Sequence, residues 1–239
     1  MAKIISCEGE IPKRIGAFVI YKLHDDLVIR GISGFTTKAL KHSPSYERCR
    51  RNASEFGPVS SLCKKVRVAL QEILPKKNNL TVVNSFTKKM REVMTCDLVS
   101  LYGERQLANA LMTNAGKQLL DDYDFNPDTS ILISYELHGN NLLLTTNKLV
   151  LPDGANCIGF RTHQLEFDFT NSEHQLQNGD WYFYSQSSLP DFVDLAVPDI
   201  ENREGVVFTI LETDFYNYEK GSYLPVHEEL KSVRIVTIC

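Results

Sequence analysis

Four short stretches hold residue types that could do chemistry. Ser61-Leu62-Cys63-Lys64 has the spacing that sets a nucleophilic serine one helical turn from a lysine. Such sites also need a K-[ST]-G strand, and Lys220-Gly221-Ser222 runs in the wrong order, so a capping serine followed by a solvated lysine is expected. Asp122-Tyr123-Asp124-Phe125-Asn126-Pro127-Asp128 alternates oxygen ligands as a calcium loop does. Pro127 stands where the turn needs glycine, however, and Ile133 where a bidentate glutamate should be, which leaves a polar linker between domains. His163 and Glu166 fall at odd and even positions of a strand and therefore point apart, which removes them as an acid/base pair. In the aromatic run Trp181-Tyr182-Phe183-Tyr184, Trp181 and Phe183 are expected to face the core. Tyr182 and Tyr184 then remain as candidate ligand contacts, suited to stacking on a carbohydrate.

Other signatures are missing from the sequence. It has no glycine-rich phosphate loop, no paired C-x-x-C and no H-E-x-x-H. The six cysteines are scattered, and most are expected to be small buried hydrophobes. No cofactor, no metal and no enzymatic role is expected. The first residues carry no sustained apolar segment, and no run approaches the roughly 20 apolar residues that span a bilayer, so a cytoplasmic protein without a membrane span is expected.

Length (239 residues) and composition (43% hydrophobic, 23% charged) fit an ordinary globular chain. The formal net charge of -4 conceals an asymmetry. Through residue 100 there are 18 Lys and Arg against 9 Asp and Glu; after it, 8 against 21. A chain polarised in this way can bind an external polyanion or its own acidic half in another copy.

Arg14–Phe35 holds two β-rich runs around His24-Asp25-Asp26, closed by Gly31 and Gly34, and reads as a hairpin. A helix is expected over Ser43–Phe56, broken by Gly57 and Pro58. A second starts at Ser60 or Ser61 with Leu62, Val66, Leu70 and Ile73 on one face. Val82, Phe86, Met90 and Val93 mark a third; Leu107, Leu111, Ala115 and Leu119 mark a fourth that starts near Gly103. Beyond Asp121 the period becomes two, with turn signals at Gly139-Asn140, Asp153-Gly154 and Asn178-Gly179-Asp180. The fold class expected is α+β: an amino-terminal β-hairpin and small helical bundle, then an antiparallel β-sandwich, Ig-like or jelly-roll. The expected divisions are a hairpin extension over 1–36, a basic helical region over 37–124 and an acidic sandwich over 125–239.

The segments "GAFVIYKLHDDLVIR" and "ASEFGPVSSLCKKVRVAL" resemble a set of uncharacterised bacterial proteins that open with a similar hairpin and an A-S-x-F-G-x-x-S helix rich in Lys and Arg. That resemblance implies no activity. From the charges, a non-enzymatic structural protein is expected that self-assembles head-to-tail as a homo-oligomeric ring or filament. The residues expected to carry the contact are Phe18, Ile20 and Tyr21 in the hairpin and Arg50, Arg51, Lys64, Lys65 and Arg67 in the helices. Asp121, Asp122, Asp124, Glu212 and Asp214 are their expected acidic counterparts. Nucleic-acid binding by the basic helical region and carbohydrate binding by the sandwich are the alternatives.

Overall fold

The computed structural model describes residues 2–4, 13–24, 26–32, 36–76, 79–126, 129, 131, 133–201, 204–226 and 229–239. Asp25, Gly34, Phe35, Pro127 and Asp128, named above, lie outside them, as does Cys7, one of the six cysteines. The chain forms two compact units, Met1–Asn52 and Ala53–Cys239.

In the first unit the hairpin is present as β3 (Phe18–Leu23) and β4 (Asp26–Gly31), with Leu23 paired to Asp26. β1 (Ala2–Ile4) adds to the far edge of β4 and β2 (Arg14–Ile15) to that of β3, giving an antiparallel sheet ordered β1-β4-β3-β2. Ile20 and Val28 are its buried apolar side chains among the described residues, which is little core for four strands. α1 (Thr37–His42) follows, capped by the Thr36 hydroxyl. Arg50 Nη1 donates to Leu40 O (2.8 Å) and Ser43 O (2.9 Å), placing a cation against the carbonyl end of that helix.

α2 (Glu47–Ala69) runs through Gly57 and Pro58, where a break is expected from sequence. Pro58 has no N–H to donate within the helix, a local cost. The buried stripe Glu55, Val59, Cys63 and Val66 is continuous across it, and that burial carries the helix through. Ser60 and Ser61 are therefore interior helical residues, not caps. α3 (Asn79–Met94) buries Val82, Phe86, Met90 and Val93 as expected. The fourth helix is two short ones, α4 (Leu107–Leu111) and α5 (Asn114–Gln118). Thr113 Oγ1 accepts from Gly116 N (3.0 Å) and starts the second. A Cβ on Gly116 would lie 2.1 Å from Ala110 O, so glycine is required at that corner.

The rest of the second unit is antiparallel sheet. β5 (Ser134–His138), β6 (Asn141–Thr145) and β10 (Phe192–Ala196) form a small sheet ordered β10-β6-β5. The larger sheet is built on two long strands, β7 (Cys157–Phe167) and β11 (Val206–Glu219). Shorter strands line their outer edges in tandem: β8 (His174–Asn178) and β9 (Tyr182–Ser185) on β7, β12 (Ser222–Val226) and β13 (Ser232–Ile238) on β11. The fold is α+β with a sandwich-like pairing of sheets, and neither sheet closes into a barrel.

Both faces of the larger sheet are covered. Leu165, Phe167, Phe208, Ile210, Val233 and Ile235 pack with Val59, Val66, Phe86 and Met90 of the helices. Ile158, Phe160, Leu211, Phe215 and Val236 pack with Leu142, Leu144, Val193 and Leu195 of the small sheet. The helices thus share a core with the strands and do not close one alone, so the division expected after residue 124 does not separate two cores. Nor is the described part of the expected linker, residues 122–126, a linker. Phe125 N donates to Val233 O (2.9 Å), Ile235 N to Tyr123 O (2.8 Å), and the Phe125 ring is 4.9 Å from that of Phe86. Phe125 enters the helix-side core and Ile131 and Ile133 the other.

Of the cysteines, Cys63 and Cys157 are buried, Cys96 partly so, and Cys49 and Cys239 exposed, all as free thiols; most of those described are not the buried hydrophobes expected. Burial pushes the Cys63 thiol up to about 12. Among the described residues no helix is long and apolar enough to cross a membrane.

Phe86 is fully buried where the helices meet the sheet, so Phe86→Ala should cost about 3–5 kcal/mol of unfolding free energy, while Lys88→Ala should stay within about 0.5. Urea unfolding midpoints of the two variants check this.

Candidate interaction surface and the charged half of the sheet

Between α3 and α4 the chain turns through residues 97–106, and two buried carboxylates fix that turn. Asp97 Oδ1 accepts from Val99 N and Ser100 N (both 3.0 Å), and its Oδ2 from Gln106 N (2.9 Å) and Asn109 Nδ2 (3.3 Å), so one side chain ties both ends of the loop. Glu55 reaches the middle from α2. Its Oε1 accepts from Gly103 N and Arg105 Nε (both 2.7 Å), its Oε2 from Arg105 Nη2 (2.8 Å), a two-pronged ion pair. The Ser54 hydroxyl donates to Gly103 O (2.6 Å), and φ +101° at Gly103 is a conformation that side chains other than glycine resist.

The loop so held turns its apolar residues outward. Leu98 and Val99 are each 89% exposed and Leu101 74%; Met112, at the end of α4, is 79% exposed. Single exposed aliphatic residues are ordinary, but a contiguous set on a rigid loop marks a contact surface. Beside it lies a cleft of about 370 Å³ lined by Pro58, Val59, Leu62, Leu107, Ala108 and Phe169 together with the polar Ser54 and Thr170 and residues 103–106. The expected helix start at Gly103 hid this loop. An aspartate followed by three large aliphatics without helical or strand period was its signal in the sequence.

A second concentration of polar groups lies on the helix-facing side of the larger sheet, where the β7 and β11 residues change from apolar to charged. His163 is fully buried, with Nδ1 2.7 Å from Asn178 Oδ1 and Nε2 2.8 Å from Glu212 Oε2. Lys231 Nζ donates to Glu212 Oε1 at 2.5 Å. Burial raises the Glu212 carboxyl most strongly, yet the His163 hydrogen bond and the Lys231 ammonium outweigh it and hold the group below the usual range. Glu166, expected to point away from His163, does so, and accepts from Gly205 N at 2.8 Å.

The aromatic run is arranged opposite to expectation. Trp181 lies under the Arg161 guanidinium (5.5 Å) and stacks on Phe183 (5.4 Å), which stacks on Tyr223 (3.8 Å), with Tyr216 edge-on to all three. Gly159 lies against this pile, where a Cβ would come within 2.9 Å of both Phe183 and Tyr216. Tyr182 and Tyr184 pack against the core on the other face, and burial raises the Tyr184 phenol. Both are half-buried, as are Trp181 and Phe183, so each face of the strand meets apolar neighbours.

The residues expected to carry self-association are dispersed. Phe18 is exposed, Ile20 buried, and Tyr21 half-buried with the Arg30 guanidinium 5.8 Å from its ring. Arg50 is spent on α1, and Arg51 pairs with Glu47 (2.6 Å). Lys64 and Lys65 are exposed and Arg67 is half-buried. Asp121 is exposed; Asp122, also exposed, meets Arg234 Nη1 (3.2 Å) and Tyr135 Oη (3.1 Å). The others are interior. Asp124 accepts from the Ser232 hydroxyl and from Asn126 N (2.7 Å), while Glu212 and Asp214 are buried, so none of these three carboxylates can form an acidic docking face.

Comparison with family models, with curated proteins and with solved structures finds no match to this chain. The fold is that of an α+β protein with an exposed apolar loop built into the turn between two helices.

The Arg105 hydrogen bond, opposed by burial, holds the Glu55 carboxyl below its usual range. For Asp97 burial pushes upward most strongly, but the bonds from Gln106, Ser100 and Val99 outweigh it and the group lies well below the usual range. Depressed folded pKa values give a stabilisation that is complete above the unfolded value, about 4, and is lost as pH falls from there through the folded values. Amide exchange at Val99, Ser100, Gly103 and Gln106 should therefore be slow at neutral pH and become progressively faster, relative to the Phe86 amide, as pH falls below about 4.

Proposed function

We propose that this is a non-enzymatic interaction protein that self-associates through the loop at residues 97–106. The observation that carries the reading is the combination of near-complete exposure at Leu98, Val99 and Leu101 with a backbone fixed by buried Asp97 and Glu55. A prearranged apolar contact loses little conformational entropy on binding, so more of the gain from its burial is left as affinity.

The second copy is the partner the surface suits. The cleft at Pro58, Leu62, Leu107 and Phe169, which residues 103–106 of the loop help to line, gives one chain a projection and a partly apolar recess side by side. Two copies related by a two-fold axis can each place the loop in the other's recess, which doubles the contact. Charge then steers the encounter and leaves the binding to apolar contact. The unit Met1–Asn52 carries 10 Lys and Arg against 5 Asp and Glu, a balance of +5, and the remainder carries -9.

Sedimentation should find a dimer whose population survives roughly 1 M salt, where charge contacts are screened within about 3 Å. Leu98→Asp with Leu101→Asp should yield a monomer with an unchanged unfolding midpoint. A wild-type monomer at all concentrations sinks the proposal, and a dimer that dissolves with salt returns the contact to the charges.

A further inference from the structure

We propose that a cleft beside the end of α2 binds a phosphate monoester, a ligand site separate from the self-association loop. The cleft, about 400 Å³, lies between the last turns of α2, the following segment to Lys76 and the first turns of α3. Lys64, Arg67 and Lys76 line it, and no carboxylate does so among the described residues. The adjacent cavity on the far side of Leu74-Pro75-Lys76 differs in this respect, since Glu72, Glu212 and Asp214 are among its lining.

Three features point to the ligand. Lys64 and Arg67 stand one helical turn apart on α2, a mildly unfavourable arrangement of like charges that an anion between them would relieve. Arg67 Nε is covered and has no hydrogen-bond acceptor on the protein, a costly unmet donor that a shift of the side chain toward an anion in the cleft would satisfy. A guanidinium and two ammonium groups can together neutralise the dianion of a terminal phosphate and supply donors to its three terminal oxygens. The remaining wall is mostly apolar, formed by Val68, Leu74, Pro75 and Val82 with the amide of Gln71 among them, and the volume exceeds what the anion alone would occupy. The ligand is therefore an organic phosphate whose body rests on that wall.

Calorimetric titration of the full chain at constant ionic strength tests this, with adenosine monophosphate, inorganic phosphate and a ten-residue oligothymidylate lacking terminal phosphates as probes. Adenosine monophosphate should bind best and inorganic phosphate more weakly, while the oligonucleotide, which carries only diesters, should not bind. Lys64→Gln with Lys76→Gln changes two exposed residues. It should weaken the monophosphate by roughly a hundredfold, about tenfold for each charge-assisted bond lost, and leave the melting temperature of the unliganded protein in place. Arg67→Gln should weaken it by at least as much. Binding of the oligonucleotide alone would overturn the proposal in favour of nucleic acid. Monophosphate binding that survives the double substitution, or no binding of either phosphate probe, would overturn it outright.

Discussion

Two strands set the terms for the larger unit. β7 and β11 pair over eleven consecutive positions, from Phe167–Val206 to Cys157–Tyr216, and most of their residues are buried. A sheet buried on both faces needs two covers, and the chain supplies unlike ones, α2 and α3 on one side and the β10-β6-β5 sheet on the other. The short strands exist on the same terms. β8 with β9, and β12 with β13, end to end, complete hydrogen bonding along edges that one strand of ordinary length would leave bare. Even the Tyr123–Phe125 segment adds backbone bonds to β13 before the chain passes from one core to the other.

Buried charge then distributes specificity over this frame. Each buried carboxylate loses hydration, and that loss is tolerable where hydrogen bonds replace it. Asp97 accepts four, three of them from backbone N–H groups, and Glu55 combines a guanidinium fork with a backbone amide. Glu212 is held between His163 and Lys231, which joins β7, β11 and the segment entering β13 at one point. An apolar replacement could fill the same space, but it would not dictate which backbone amides meet. The interior carboxylates of this chain select one loop path and one strand alignment among several of similar apolar burial.

The regular elements were legible because their signals are local. The stripe Val82, Phe86, Met90, Val93 declares a period within a few residues and became the expected helix. The hairpin was legible for the same reason, whereas β1 joins it through pairing that no short window contains. Gly57-Pro58 shows how a strong local signal fails. Breaking propensity at two positions lost to a buried stripe extending from Glu55 to Val66. The aromatic run failed differently: alternation correctly separated Trp181 and Phe183 from Tyr182 and Tyr184, but a period of two cannot say which face meets a core when both do.

The sites were less legible because charge in a sequence carries no burial label. Asp124, Glu212 and Asp214 count toward an acidic surface in any tally of the second half, and all three are interior. What the tally misses is pairing at long range. Glu55 and Arg105 stand 50 positions apart and His163 and Glu212 49, so neither charge reveals its partner in a window of any useful length. The contact loop was hidden by the opposite error. Leu98, Val99 and Leu101 look like core by residue type, and only the hydrogen bonds of Asp97 and Glu55, which occupy the backbone around them, explain why these side chains are left in water. A buried carboxylate that spends its bonds on loop amides therefore has an effect on the outer surface: it denies nearby aliphatic side chains the collapse they would otherwise find, and keeps them available to another molecule.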